Sequence, residues 1–167
     1  MRWIKIITLI SFAIMISAQP LFAQRPPRIA YINAAKVFDG YHKTKEADQN
    51  LEKEGKKKNT ERERLVKEIN KLKDEVELLS QKARGKKETI LNEKLRGLQD
   101  FDNEAKLSLQ RKRNDMVKVI LKEIDDVIKA YGSKNGFDII MDSRVLLHAN
   151  VELDISDDIV RELNKKR

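Results

Sequence analysis

The side chains able to do chemistry in this 167-residue chain are nearly all charges: 35 Lys and Arg against 27 Asp and Glu, a formal net charge of +8. Lys82, Arg84, Lys86 and Lys87 crowd into six residues. Such a knob suits contact with an anionic surface such as lipid headgroups, or it is simply a solvated turn. A second basic group joins Gly55, Lys56, Lys57 and Lys58 to Arg111, Lys112 and Arg113, far apart in the chain. No reaction centre emerges. His42 and His148 stand alone, without the acidic and His neighbours that a metal site needs. Cys is absent, which excludes disulfides, thiolate ligands, a Cys nucleophile and lipidation at Cys. Gly85-Lys86-Lys87 lacks the spacing of a phosphate loop. The carboxylates alternate with Lys and Arg at helical spacing, which supports helices by ion pairing rather than acid–base work. Neither an enzyme nor a cofactor is expected.

The element that must position these charges is one long stretch, residues 43–131, with no Pro. Leu65, Ile69, Leu72, Val76, Leu79 and Ala83 step by fours and threes, a coiled-coil seam. Leu91, Leu95 and Leu98 resume it, followed by Ala105, Leu109, Met116, Ile120, Ile124, Val127 and Tyr131. One narrow seam per helix predicts a thin antiparallel hairpin, each arm about 60 Å long. The turn is expected at residues 84–87. Folding there places Gly55–Arg62 opposite Ser108–Asp115, so two apolar-poor stretches coincide. That zone is read as a soft basic hinge, or as a solvated face of a helix phased otherwise.

Residues 1–23 read as a secretory signal peptide, with Arg2 and Lys5 before an apolar run that is short for a membrane span. Cleavage after Ala23 removes two cations and no acid, lowering the net charge to +6. A basic exported protein favours anionic lipid or acidic protein partners over nucleic acid. Residues 24–42 and 132–167 are expected to form one small β-containing body. Arg28–Ile32 and Phe137–Met141 read as strands, and Val145–Ala149 as a third, antiparallel to the second. Asn33 is placed as the cap of a short helix, Gly132 as the left-handed cap ending the second arm, and Ser156 as the cap of a last helix. So small a core, with open sheet edges, calls for oligomerisation. The fold class is α+β and mostly helical, an oligomerised body with one hairpin arm per subunit.

Ile29-Ala30-Tyr31-Ile32-Asn33 with Val37-Phe38, then Phe137-Asp138-Ile139-Ile140-Met141-Asp142, Val145-Leu146-Leu147, Asp154-Ile155-Ser156 and the closing Val160 and Leu163 flank the charged hairpin. In this order the chain resembles the Skp/OmpH family of periplasmic chaperones of Gram-negative bacteria, across its whole length after the signal peptide. The resemblance implies a homotrimer whose strands build a central barrel-like body. It implies three helical arms around a cavity that holds unfolded outer-membrane proteins without ATP. A lipopolysaccharide site of scattered basic residues, proposed for the family's best-known member, is not carried over to residues of this chain. Leu78, Phe101 and Leu107 are then candidate client contacts. The rival readings are a structural coiled-coil spacer of the envelope, and a binder of anionic lipid or lipopolysaccharide through the basic tip.

Overall fold

A computed structural model describes residues 25–165. The expected signal peptide, residues 1–23, lies outside them, as do Lys166 and Arg167. Strand β1 (Ile29–Ile32) leads through Asn33 into helix α1 (Ala34–Gly40). The Asn33 side chain accepts from the Lys36 N–H, the capping bond its residue type favours. After a break at Tyr41 come α2 (His42–Glu77) and α3 (Gln81–Asn135), the two arms of the hairpin. Strand β2 (Ile139–Asp142), two short 3-10 turns and α4 (Ser156–Lys165) complete the chain. The mostly helical α+β class with a long antiparallel arm is as the sequence predicts.

The body departs from expectation in its sheet. β1 and β2 pair in parallel, Ile29 with Ile139 through Ile32 with Asp142. On the other side of β1, Tyr31 bridges Asp154, and the Ile155 N–H donates to the Tyr31 carbonyl at 3.0 Å. Val145–Ala149 forms no strand. Asp142 instead caps a 3-10 turn at Ser143–Val145, accepting from the Arg144 N–H at 3.0 Å and pairing with its guanidinium. That turn carries the chain off β2, and Leu147 is left fully exposed. The left-handed cap of α3 is Gly136 (φ +69°), not Gly132, which sits buried inside the helix against Ile140. Ser156 opens α4, but its Oγ accepts from the Asn33 N–H at 2.8 Å, across the body.

The core gathers Ala30 and Ile32 from β1, Val37 from α1 with Tyr41 just after it, and Ile155, Ile159 and Leu163 at α4. Ile120, Ile124 and Val127 join it from α3. The body therefore reaches further up the second arm than the expected boundary at residue 132. Beyond it the hairpin is thinly packed. Between Thr44 and Ile69, α2 buries no residue, and α3 buries none before Ile120.

The hairpin reverses at Leu78–Ser80, not at 84–87, which lie in the first turns of α3. The Arg84 guanidinium explains the difference. It donates to the carbonyls of Val76 and Glu77 at 3.2 Å, closing the end of α2 without a glycine. The reversal also moves the arm register. Arg62 pairs with Asp102 and Glu54 with Lys112, so Gly55–Arg62 faces residues near 102–111 rather than 108–115.

Glycines in the arm and at the joint have opposite roles. A Cβ at Gly55 or Gly97 would meet nothing within 4 Å, whereas one at Gly40 would lie 2.9 and 3.0 Å from the Val160 methyls. Gly55→Ala and Gly97→Ala should each stabilise the arm by up to about 1 kcal/mol, read by circular dichroism on heating. Gly40→Ala should destabilise by about 1–3 kcal/mol. Equal effects at all three positions would contradict this packing.

Candidate functional site

The arm carries most of the charge, and its cross-links follow from the register. At the root, Lys43 of α2 donates to Glu123 of α3 at 2.8 Å, and the Tyr41 hydroxyl donates to the same carboxylate at 2.6 Å. Further out come Glu54 with Lys112, Arg62 with Asp102 at 3.0 Å, Glu68 with Lys94 at 3.4 Å, and Glu75 with Lys87. Each is partly exposed, so each adds little stability and weakens with salt. In the middle of the hairpin these pairs take the place of buried side chains.

Between the two innermost cross-links lies an open cleft of about 600 Å³. Ala47, Met116, Val119 and Ile120 give it an apolar floor, and Glu46, Asn50, Lys53, Lys57 and Asp115 a polar rim. Sequence reasoning missed this cleft. The signal available was the small Ala47 opposite Met116 and Val119, next to a seam without large apolar residues.

The predicted hinge residues do come together, but α2 runs through Gly55 as continuous helix. Lys56 pairs with Glu52 one turn away, and Lys112 with Glu54. Lys57 lines the cleft. Lys58 lies over the Phe101 ring at 5.5 Å, a cation–π contact. Arg111 and Arg113 face solvent. Phe101 is thus half-buried packing, while Leu107 stands 59% exposed.

The four-cation knob divides. Arg84 caps α2 and Lys87 pairs with Glu75. Lys82 and Lys86 stay exposed. Leu78, beside them at the reversal, is 88% exposed.

Hydrogen bonds from Lys43 and then Tyr41 hold the Glu123 carboxyl below the usual range, against the opposing effect of burial. Burial first, then the bond to Glu123, pushes the Tyr41 phenol up. The depressed carboxyl contributes stability that is fully present above the ordinary Glu pKa. It is lost as pH falls through the folded value. Because Lys43 and Glu123 are 44% and 35% exposed, the loss should be about 1 kcal/mol or less. Thermal unfolding between pH 7 and 3 should therefore show an acid-side slope that Glu123→Gln reduces; an unchanged slope would refute the coupling.

Among the described residues no group of His, Asp or Glu is placed to hold a metal ion, and no helix is long and apolar enough to cross a membrane. His42 bonds to Asn164 at the arm root, and His148 is exposed in the body.

Body and arm together define an α+β protein in which a small body carries a long helical hairpin. Residues 28–163 match the family described as Outer membrane protein (OmpH-like). The chain belongs to that OmpH-like family. It is 24% identical over 140 residues to the chaperone protein Skp of Yersinia enterocolitica, covering 81% of this chain and 85% of that protein. Its fold is similar to a crystal structure described as an OmpH-like outer membrane chaperone from Caulobacter crescentus. The TM-score is 0.78 at 14% identity, over 89% of this chain and 90% of that one.

Proposed function

We propose that this protein is a periplasmic, ATP-independent holdase that keeps unfolded outer-membrane β-barrel proteins from aggregating. The observation that carries the reading is the arm itself. Its middle buries no side chain, yet it displays Leu107, Val119 and Leu121 among charges of both signs. An element built this way offers many weak apolar contacts and a mobile charged surface, which suits clients of varied shape. The excess of cations favours rapid capture of acidic clients. Relatives named as chaperones support the same function.

The body supports a closed homo-oligomer, a trimer on the family resemblance. Ile139, Val145, Leu147, Val151 and Leu153 are exposed on it, and the outer edge of β2 is unpaired among the described residues. A second copy would cover both.

The test dilutes a urea-unfolded outer-membrane barrel protein into ATP-free buffer with this protein present, at low and high salt. Light scattering should stay low near one oligomer per client at low salt. Suppression that fades at high salt assigns capture to the cations. No suppression at either salt would leave the structural spacer in front.

A second reading has its own observation: Leu78 stands exposed beside Lys82 and Lys86 at the tip. An apolar side chain flanked by two cations suits an anionic bilayer surface. Replacing Leu78, Lys82 and Lys86 with Ser should abolish cosedimentation with anionic vesicles while client holding persists. Retained sedimentation would remove the tip from consideration.

A further inference from the structure

We propose that Asn164 is the positioning residue that sets the angle at which α2 leaves the body, and with it the width of the cleft between the arm roots. Its use, though not its geometry, rests on the holding role proposed above.

The chain ends α1 at Gly40, turns through Tyr41 and starts α2 at His42. The Gly40 carbonyl and the His42 N–H flank that turn, and helix ends leave such groups without intrahelical partners. One carboxamide on α4 takes both. Asn164 Nδ2 donates to the Gly40 carbonyl at 3.0 Å, and the His42 N–H donates to Asn164 Oδ1 at 3.0 Å. His42 Nδ1 lies 2.8 Å from the same oxygen, so Nδ1 carries the proton. The amide orientation is forced, because a carbonyl and an N–H bracket it. A flipped amide would set oxygen against oxygen and N–H against N–H.

The rest of the face agrees. Val160, four residues before Asn164, closes on Gly40 so tightly that a Cβ there would lie 2.9 Å away. Leu163, between them on the same helical face, is buried. Tyr41 is buried too, with its hydroxyl held by Glu123. The turn therefore cannot relax by swinging Tyr41 outward.

The two arms differ in how they are aimed. α3 enters the body as continuous helix and is anchored by Ile120, Ile124 and Val127. α2 buries only Thr44 near its root, and its next buried residue is Ile69. Its direction over the first turns therefore rests on the joint, together with the Lys43–Glu123 bond and the partly buried Ala47. The cleft starts at Lys43, next to the joint, and extends to Lys57. A tilt of about 5° at His42 would displace Lys57, about 22 Å along the helix, by about 2 Å.

The absence of Cys allows clean labelling. Spin labels at Gln49 and Lys118, both exposed, report the root of the hairpin; labels at Lys67 and Arg96, also exposed, report its outer part. Pulsed dipolar spectroscopy on the intact protein, diluted into unlabelled chain, reads one subunit at a time and needs no client. Asn164→Leu removes all three bonds at similar volume. Asn164→Asp keeps an acceptor for His42 and loses the donor to Gly40. By the same tilt at His42, Gln49, about 10 Å along the helix, moves by about 1 Å and Lys67, about 37 Å along, by about 3 Å, so the Leu variant should shift or broaden both distances, Lys67–Arg96 the more. The Asp variant should fall between the Leu variant and the native protein. Unchanged distributions at both pairs, even in a protein that melts earlier, would reduce Asn164 to packing and overturn the proposal. If the Leu variant does not fold, the Asp variant decides alone. Failure of the native protein to hold clients would remove the holding role and leave the distance result standing.

Discussion

Replacing residues 51–113 with a short Gly-Ser linker should leave a folded body that loses most of its suppression of client aggregation, keeping only what Val119 and Leu121 supply. Every residue of the main core cluster lies outside the excised segment: Ala30, Ile32, Val37 and Tyr41 before it, Ile120, Ile124, Val127, Ile155, Ile159 and Leu163 after it. Packed helices run about 8–10 Å apart, and a flexible linker of four residues spans about 11 Å. The cut ends can therefore be joined without pulling on the core. The expected result is a cooperative melt, an oligomeric state by sedimentation equal to that of the full-length protein, and light scattering close to that of client alone. A truncated protein that holds clients as well as the full-length protein would place the working surface on the body and end the arm-based reading. A truncated protein that cannot fold would show that the outer arm supplies stability the core does not.

Leu163→Ala should cost about 3 kcal/mol, a large share of the stability of a small domain. Leu163 is 1% exposed, on a helix that meets both the joint at Gly40 and the buried part of α3. Truncation leaves a cavity that flanking helices, held by Ser156 at one end and Asn164 at the other, cannot easily close. Urea unfolding at fixed protein concentration should show a lower midpoint with an unchanged slope. Ile159→Val, a milder change at a fully buried site, should cost about 0.5–1.5 kcal/mol. A Leu163→Ala effect below that of Ile159→Val would contradict the packing.

The arms were legible in the sequence because a four-three apolar spacing fixes both helix type and facing. Ile69 and Val76, picked from that spacing, are the buried residues of the outer hairpin. The turn was not legible, because residues 78–80 contain neither Gly nor Pro. The reversal is stabilised by a guanidinium four residues later, and Gly85, a natural breaker in isolation, is carried inside a helix. The sheet was misread for a related reason. Val145–Ala149 has strand-like composition, but pairing depends on which backbone the long arm returns to β1, and local pattern carries no record of that. Phe137, expected in a strand, instead stacks on Tyr131 with Arg28 over its ring. Of the candidate site residues, the cations of the tip and middle zone were found as a group. Their division into internal partners and exposed charges required the register, as did the cleft and the Tyr41–Lys43–Glu123 cluster.

Because β1 pairs in parallel with β2, the first strand of the body waits for one of the last. The Arg28 N–H donates to the Asp138 carboxylate at 2.7 Å across 110 residues of chain. During synthesis the N-terminal strand emerges without a partner, while the hairpin between has helices that can form locally. Such distant pairing slows folding, since the ends must be brought together before any contact rewards it. The hairpin shortens that search by returning the chain beside its start. An early helix pair would then template a late sheet, and the unpaired Ile29–Ile32 strand would be the segment at greatest risk of sticking to other nascent chains.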